Sequence, residues 1–422
     1  MFVCSRLLTF ISILFLSALI SATHASSTKN ELALKIQKEM KRYFKEYQDE
    51  EKFTALAVSI RVPHSENNDS EEVLNFVKGT MGQPPLDQKI TTNNLFDIGS
   101  ITKSFTALIL LQLQSEGVLS LDDPLGKWLP HYENWSKVTI RHLLNMTSGI
   151  PNYSDNSEFW MQMEHNLGKV WTDEELLTYA HPEKAIETDR PSLYEYSNSN
   201  YILAALVIEK ATQDTFENQL KKRIFDKTNF LQNTYYPAGP NGVNVGHAIK
   251  DRKAHGYYYD EGAKNVVDII DSDLSWAAGA GAIVANTEDV ARWVQLLYHG
   301  LLIQPEYREQ ALSEMKSVVS MNTGLPISNV TENDPGGFGL GVGYAFDKKS
   351  NNRFWVYQGS TLGYRVMYIW SACNDVSVVA ALNSKGGDGK PGSKMGNHIF
   401  DLDLTLYKKI MKVYPELRCV NH

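Results

Sequence analysis

At 422 residues, 43% of them apolar, the chain has enough hydrophobic material for one large domain or two lobes. Charged residues make up 21%, near the globular norm, which excludes a wholly disordered chain. A formal net charge of −8, with no Lys/Arg block interleaved with aromatics, excludes nucleic acid as the expected partner.

The chain opens with Arg6, an apolar run over residues 7–20 and a small-residue stretch at Thr23-His24-Ala25, the three parts of a secretory signal. The run is shorter than the roughly 20 residues of a membrane span. The reading is therefore a signal peptide over residues 1–25, a cleaved product in the periplasm or outside the cell, and no stable membrane span. In residues 30–47, Leu32, Ile36, Met40, Tyr43, Phe44 and Tyr47 recur at helical spacing, which predicts a helix laid on a sheet. Residues 53–62 and 72–79 read as strands across a polar loop at 63–70, and residues 95–98 as a third, short strand.

A long apolar-periodic segment then begins near Ser100 and closes at Gly117, a natural helix stop. Thr139 opens a short helix that Thr147-Ser148-Gly149-Ile150-Pro151 ends. The chain stays mostly helical to about residue 230, with residues 201–210 the most apolar helix. From about residue 275 the texture changes: a small-residue run at 277–281, a helix opened by Thr287, and glycines over 336–343. Residues 354–357, 364–370 and 376–382 then read as an antiparallel meander, and 397–413 as a closing helix. Early and late strands around a helical middle predict one sheet built from both chain ends. Residues 26–422 form a single domain, with a sheet lobe over about 30–99 and 275–422 and a helical lobe over about 100–274. Cys4 leaves with the signal, while Cys373 and Cys419 can pair in an oxidising compartment if the fold brings them together. They are not spaced as metal ligands, and no metal or cofactor is expected.

Three stretches carry chemistry. In Phe96-Asp97-Ile98-Gly99-Ser100-Ile101-Thr102-Lys103, Ser100 falls at the first turn of a helix, with Lys103 one turn above it on the same face. A serine needs a neighbouring base to become a nucleophile, and a desolvated lysine can serve. Ser-x-x-Lys occurs three times, at Ser26, Ser100 and Ser313, and only Ser100 has the strand–glycine–helix setting. From the residues alone, Ser100 as a helix cap and Lys103 as an exposed lysine stand beside this reading. Tyr196 and Asn198, two apart in a polar loop, can offer one cleft a proton-shuttling phenol and a positioning amide; a turn rich in capping residues fits equally. In Tyr357-Gln358-Gly359-Ser360, Gly359 lets a substrate approach backbone, and the N–H of Ser360 can join that of Ser100 as an oxyanion hole. An ordinary hairpin loop has the same spacing. No Gly-x-Ser-x-Gly or phosphate-binding loop is present.

The Ser100 stretch closely resembles the serine motif of the class C β-lactamase/D-alanyl-D-alanine carboxypeptidase superfamily. Further matches follow in the family's order. They are Leu119-Ser120-Leu121-Asp122-Asp123-Pro124, the run from Thr139 to Pro151, Tyr196-Ser197-Asn198-Ser199-Asn200-Tyr201, Ala278-Gly279-Ala280-Gly281 and Thr287-Glu288-Asp289-Val290-Ala291-Arg292. The resemblance implies an α/β (α+β) architecture, an antiparallel sheet flanked by helices plus an all-helical lobe, with the site between them. It implies Ser100 as the acylated nucleophile, Lys103 as its partner, Tyr196 as general base or acid, Asn198 as a substrate-positioning amide and Ser360 as a backbone oxyanion donor.

One position departs from the pattern. The third family motif normally starts with Lys or His, and here Tyr357 stands two residues before Gly359. A phenol removes about one charge from the place that receives a substrate carboxylate, and charge-assisted hydrogen bonds are roughly twice as strong as neutral ones. Arg365 is near in sequence, but its spacing can turn it elsewhere. The leading expectation is an exported peptidase of the D-Ala-D-Ala carboxypeptidase/β-lactamase type, with peptidoglycan stem peptides among its candidate substrates. The alternatives are an esterase or amidase for neutral acyl substrates, and a non-catalytic binding protein on the same fold.

Overall fold

The computed structural model describes residues 4–63, 73–186, 193–260, 265–386 and 395–419, with residues 4–26 and 260 described by backbone alone. The side chains of residues 1–25, read from sequence as a signal peptide, and most of the 63–70 loop thus lie outside the described residues. Among the described residues, no helix is long and apolar enough to cross a membrane.

Nine strands form the main sheet: β1 (Ala55–Arg61), β2 (Val73–Gly79), β3 (Val318–Ser320), β4 (Pro326–Ile327), β5 (Gly336–Phe338), β6 (Gly343–Asp347), β7 (Asn352–Ser360), β8 (Arg365–Ser371) and β9 (Val376–Leu382). Their order is β2-β1-β9-β8-β7-β6-β5-β3-β4, with every neighbour antiparallel. The sheet is therefore closed by the two ends of the chain, Leu56 lying opposite Leu382. Strands β1, β8 and β9 are buried at every residue. Helices cover both faces, so these strands read as continuous apolar runs although the sheet is antiparallel.

The two faces sort by the two-residue period of a strand. Leu56, Val58, Ile60, Met367, Ile369, Val378 and Ala380 face one core with Leu32, Ile36 and Met40 of α1 (Cys4–Glu51) and Leu402, Leu406 and Ile410 of the C-terminal helix. Ala55, Ala57, Val366, Tyr368 and Val379 face the other core, which continues through the middle of the chain. Here lie α2 (Thr102–Ser115), α3 (Ser199–Thr212) and α4 (Thr287–Tyr298); the C-terminal helix is α5 (Ile399–Val413). The short helix after Thr139 forms as read, with the Thr139 side chain accepting from the His142 N–H.

Some short elements have no sequence signature. Phe96–Asp97 does not join the main sheet; it pairs with Val284–Ala285, which also pairs with Thr234–Tyr235. Within the helical middle, Tyr257–Asp260 and Asn265–Asp268 form a hairpin. Cys373 and Cys419 are joined as a disulfide, their Cα atoms 5.9 Å apart.

Arg365 settles by register. It lies on the face of Met367 and Ile369, where Nη2 donates to Glu51 Oε2 at 2.7 Å and Nη1 to Asn397 Oδ1 at 2.9 Å. Glu51 also accepts from the Tyr43 hydroxyl and the His398 N–H. Both charges are fully buried. Removing one partner of such a pair typically costs about 3–5 kcal/mol, because the other charge is left uncompensated. Glu51→Gln is expected to lower unfolding free energy by about that amount in urea melts. A melt superimposable on the parent would mean the pair is not holding α1 to the sheet.

Candidate active site

Helix α2 begins with a chemical oddity: Thr102, Lys103, Ser104 and Thr106 are all fully buried. Buried polar groups need partners, and each of these has one. Thr102 Oγ1 accepts from the Ile283 N–H, Thr106 Oγ1 donates to Gly279 O, and Ser104 Oγ accepts from Trp293 Nε1. The polar edge of α2 is thus bolted to residues 279–283 and to α4, which orients the turn Gly99–Ile101 carrying Ser100.

Ser100 is not a capping residue. Its Oγ lies 3.1 Å from Lys103 Nζ and accepts from the Tyr196 hydroxyl at 2.8 Å. Lys103 is fully buried, and Nζ also donates to Asn198 Oδ1 at 2.7 Å and Ala280 O at 2.8 Å. Those two acceptors fix two N–H directions and leave the third aimed at Ser100. As an ammonium, Lys103 donates along that line; as a neutral amine, it presents its lone pair to the serine proton. Burial pushes the Lys103 ammonium below the usual lysine range, with Tyr196 opposing the shift. Desolvation favours the basic form in this way.

Asn198 occupies the N-cap position of α3, yet its side chain makes no cap bond. It spends its oxygen on Lys103 and its amide on Ser154 Oγ at 2.9 Å, while its backbone N–H donates to Asn152 Oδ1. The run after Thr139 supports this loop: Glu195 N–H donates to Met146 O, Ser148 Oγ to Asn200 Oδ1, and the Tyr201 hydroxyl to Leu144 O. Asn152, Ser154 and the carbonyl of Ala280 are site residues that sequence reading missed. The first two follow directly on the Ser148-Gly149-Ile150-Pro151 turn, which was the available signal; a carbonyl leaves none.

At the end of β7, Tyr357 and Gly359 share the face that meets Ser100, whereas Ser360 turns its side chain to Gln358 Nε2 on the other. Ser360 therefore has its backbone to offer. A Cβ on Gly359 would sit 1.7 Å from Ile98 O and 2.9 Å from Ser100 N; one on Gly99, where φ is +52°, would sit 2.5 Å from Ser360 N. Only glycine at both positions allows this approach, which brings Ser100 N and Ser360 N to one small volume. Tyr357 is 7% exposed, and its hydroxyl is 3.3 Å from that of Tyr196. Burial, then the neighbouring Tyr196, pushes its phenol well above the usual tyrosine range, so it stays neutral. Phe338 packs edge-on against Tyr357 and Tyr196, with ring centroids 5.6 and 6.4 Å away. All seven residues singled out in the sequence, Ser100, Lys103, Tyr196, Asn198, Tyr357, Gly359 and Ser360, converge here.

Two outcomes follow from this geometry. Gly359→Ala is expected to lower kcat/KM by about the 10²–10³ typical of losing one oxyanion donor; parent-like kinetics would remove Ser360 from the site. With neutral Lys103 as the base, the acylation rate should climb with pH until Lys103 is deprotonated and then level off. Lys103→Met should abolish that limb and cost roughly 10²–10⁴-fold; a pH limb that survives the substitution would assign the base elsewhere.

Residues 71–395 match the family model described as Beta-lactamase. Penicillin-binding protein 4* of Bacillus subtilis is 30% identical over 240 residues, which cover 54% of this chain and 50% of that protein. The chain spans about half the length of the curated relatives it matches. Among solved structures, the D-amino acid amidase of Ochrobactrum anthropi superimposes with a TM-score of 0.69 at 20% identity, covering 93% of this chain and 100% of that one. The penicillin-binding protein homologue of Pyrococcus abyssi gives 0.65 at 24% identity, covering 89% and 79%. With the family model matched over most of its length, this chain belongs to the beta-lactamase family of serine hydrolases.

Proposed function

We propose that this protein is an exported hydrolase that works through an acyl-enzyme on Ser100 and takes neutral acyl donors, esters or amides of small carboxylic or amino acids. The observation that carries the reading is the hydroxyl of Tyr357, neutral and buried, 3.3 Å from Tyr196 where the family pattern has a cation. Arg365, the first cation after Tyr357 in the sequence, is committed to Glu51 on the far face of the sheet.

In the reaction, Ser100 Oγ attacks the substrate carbonyl and its proton passes to Lys103 or Tyr196. The oxyanion forms between the N–H groups of Ser100 and Ser360. Collapse breaks the bond to the leaving alcohol or amine, which takes up that proton. Water, activated by the same base, then cleaves the serine ester and returns the hydroxyl. Export rests on Arg6 and the apolar run over 7–20, and the Cys373–Cys419 disulfide suits an oxidising compartment. A D-Ala-D-Ala carboxypeptidase is the second reading, favoured by the likeness to Penicillin-binding protein 4*.

Intact mass of the protein and of Ser100→Ala after exposure to penicillin G and to D-phenylalanine p-nitroanilide separates these readings. Turnover of the anilide, which has no carboxylate, lost in Ser100→Ala and without a stable penicillin adduct on the parent, is the expected result. A persistent adduct of one penicillin would favour the peptidase, and no reaction with any acylating probe a binding protein. Tyr357→His, which restores a protonatable group, should raise reactivity toward carboxylate-bearing donors about tenfold or more, the worth of one charge-assisted bond. An unchanged preference would refute the role given to Tyr357.

A further inference from the structure

A buried ion pair, joined by a threonine hydroxyl, links the sequence neighbours of Ser100 and Ser360, and the reaction above makes no use of it. Asp97, two residues before Gly99, is fully buried; its Oδ1 is 2.6 Å from Lys253 Nζ, and its Oδ2 accepts from Thr361 Oγ1 at 3.2 Å. Thr361 follows Ser360 and is 4% exposed; Lys253 is 6% exposed. The Lys253 ammonium also lies 4.9 Å from the ring of Tyr364, whose hydroxyl donates to the carbonyl of Ala254. The Thr361 N–H donates to Tyr364 O at 3.1 Å. The contacts thus close into a ring: Lys253, Asp97, Thr361, Tyr364, and back through Ala254.

Each member is anchored on a different part of the backbone. Leu95 is tied to both neighbours of Lys253: its N–H donates to Arg252 O at 2.9 Å and its carbonyl accepts from the Ala254 N–H at 3.0 Å. Ile98 N–H donates to Ile283 O at 2.9 Å. Asp97 therefore ties, through one carboxylate, its own segment, which carries Ser100, to the segment that carries Ser360. A buried ion pair is weak evidence of stability, since well-packed apolar residues often do as well. What apolar residues could not supply is the directional bond from Thr361.

We infer that Asp97, held by Lys253, is a positioning residue that fixes the separation of the Ser100 and Ser360 N–H groups through the Thr361 hydroxyl. This rests on the acyl-enzyme reading for its kinetic consequence, though not for its structural one. The oxyanion donors work only at about 2.7–3.1 Å from the developing charge. A strand end that drifts by a few tenths of an ångström binds the ground state as before and stabilises the transition state less. The carboxylate must also be neutralised by its partner, because a bare negative charge beside the hole would oppose the oxyanion.

Thr361→Val is the decisive variant, because it keeps shape and ion pair and deletes only the hydroxyl. With p-nitrophenyl acetate as probe and acylated protein counted by intact mass, the acylation rate per active site should fall about tenfold, less than the 10²–10³ for losing a donor outright. The apparent affinity for the ester should stay within about twofold, and Thr361→Ser, which keeps the hydroxyl, should restore the rate. A parent-like rate in Thr361→Val, or a serine variant as slow as the valine one, overturns the inference. Amide hydrogen exchange gives a second readout that needs no turnover: Thr361→Val should exchange faster at residues 96–101 and 359–364 together. Unchanged protection at either segment overturns the inference as well. If the parent is not acylated by the ester, the acyl-enzyme reading fails while exchange still decides the positioning.

Discussion

Everything in the site depends on one close approach of backbone to backbone, where Gly99 and Gly359 meet. Ile98 O would lie 1.7 Å from any Cβ at Gly359, so the end of β7 can slide against the Ser100 turn only because side chains are missing from both. The rest of the architecture serves that contact from two directions. The sheet delivers Gly359 by register, and the buried polar edge of α2 delivers Gly99 by hydrogen bonds to residues 279–283 and α4. A preorganised pair of N–H groups needs no movement when charge develops, which is why such rigidity serves catalysis.

Permanent charge on either side of the sheet is held in buried pairs: Arg365 with Glu51 within a shell of hydrogen bonds on the α1/α5 side, and Asp97 with Lys253 beside the site. The catalytic side carries Lys103, whose burial favours the uncharged amine, together with the phenols of Tyr196 and Tyr357 and the ring of Phe338. Low dielectric strengthens every hydrogen bond to the reacting atoms. It also makes the identity of the residue at position 357 decisive, since there is little water to screen a substrate charge.

Much of this was legible in the sequence, and the exceptions share a cause. The meander of β7, β8 and β9 and the helices α2 and α3 show as runs and periods, because their partners are uniform layers. Ser100 and Lys103 stand out by residue type and spacing, Tyr196 and Asn198 only through the family resemblance, and Arg365 was open to turning away from the site, as register confirms. The ion pair of Lys253 with Asp97 could not be read, since two ordinary charged residues far apart in the chain announce nothing until the fold joins them. Phe96–Asp97 looked like a strand of the main sheet but belongs to a separate ribbon, because its partner Val284–Ala285 also comes from a distant segment. Ala280 acts through a carbonyl, which every residue has.

The pairing of β1 with β9 has a temporal consequence. Leu56 cannot meet Leu382 until nearly the whole chain exists, so this pair of the sheet is among the last contacts that synthesis makes possible. Contacts this distant in sequence are slow to form, because loop closure must precede their reward. Helix α2 waits for distant partners too, since its polar edge is held by residues 279–283 and by Trp293 of α4. Ser100 precedes all of these partners in the chain. It is synthesised long before Ala280, whose carbonyl fixes Lys103, and before the end of β7 that brings Ser360 beside it.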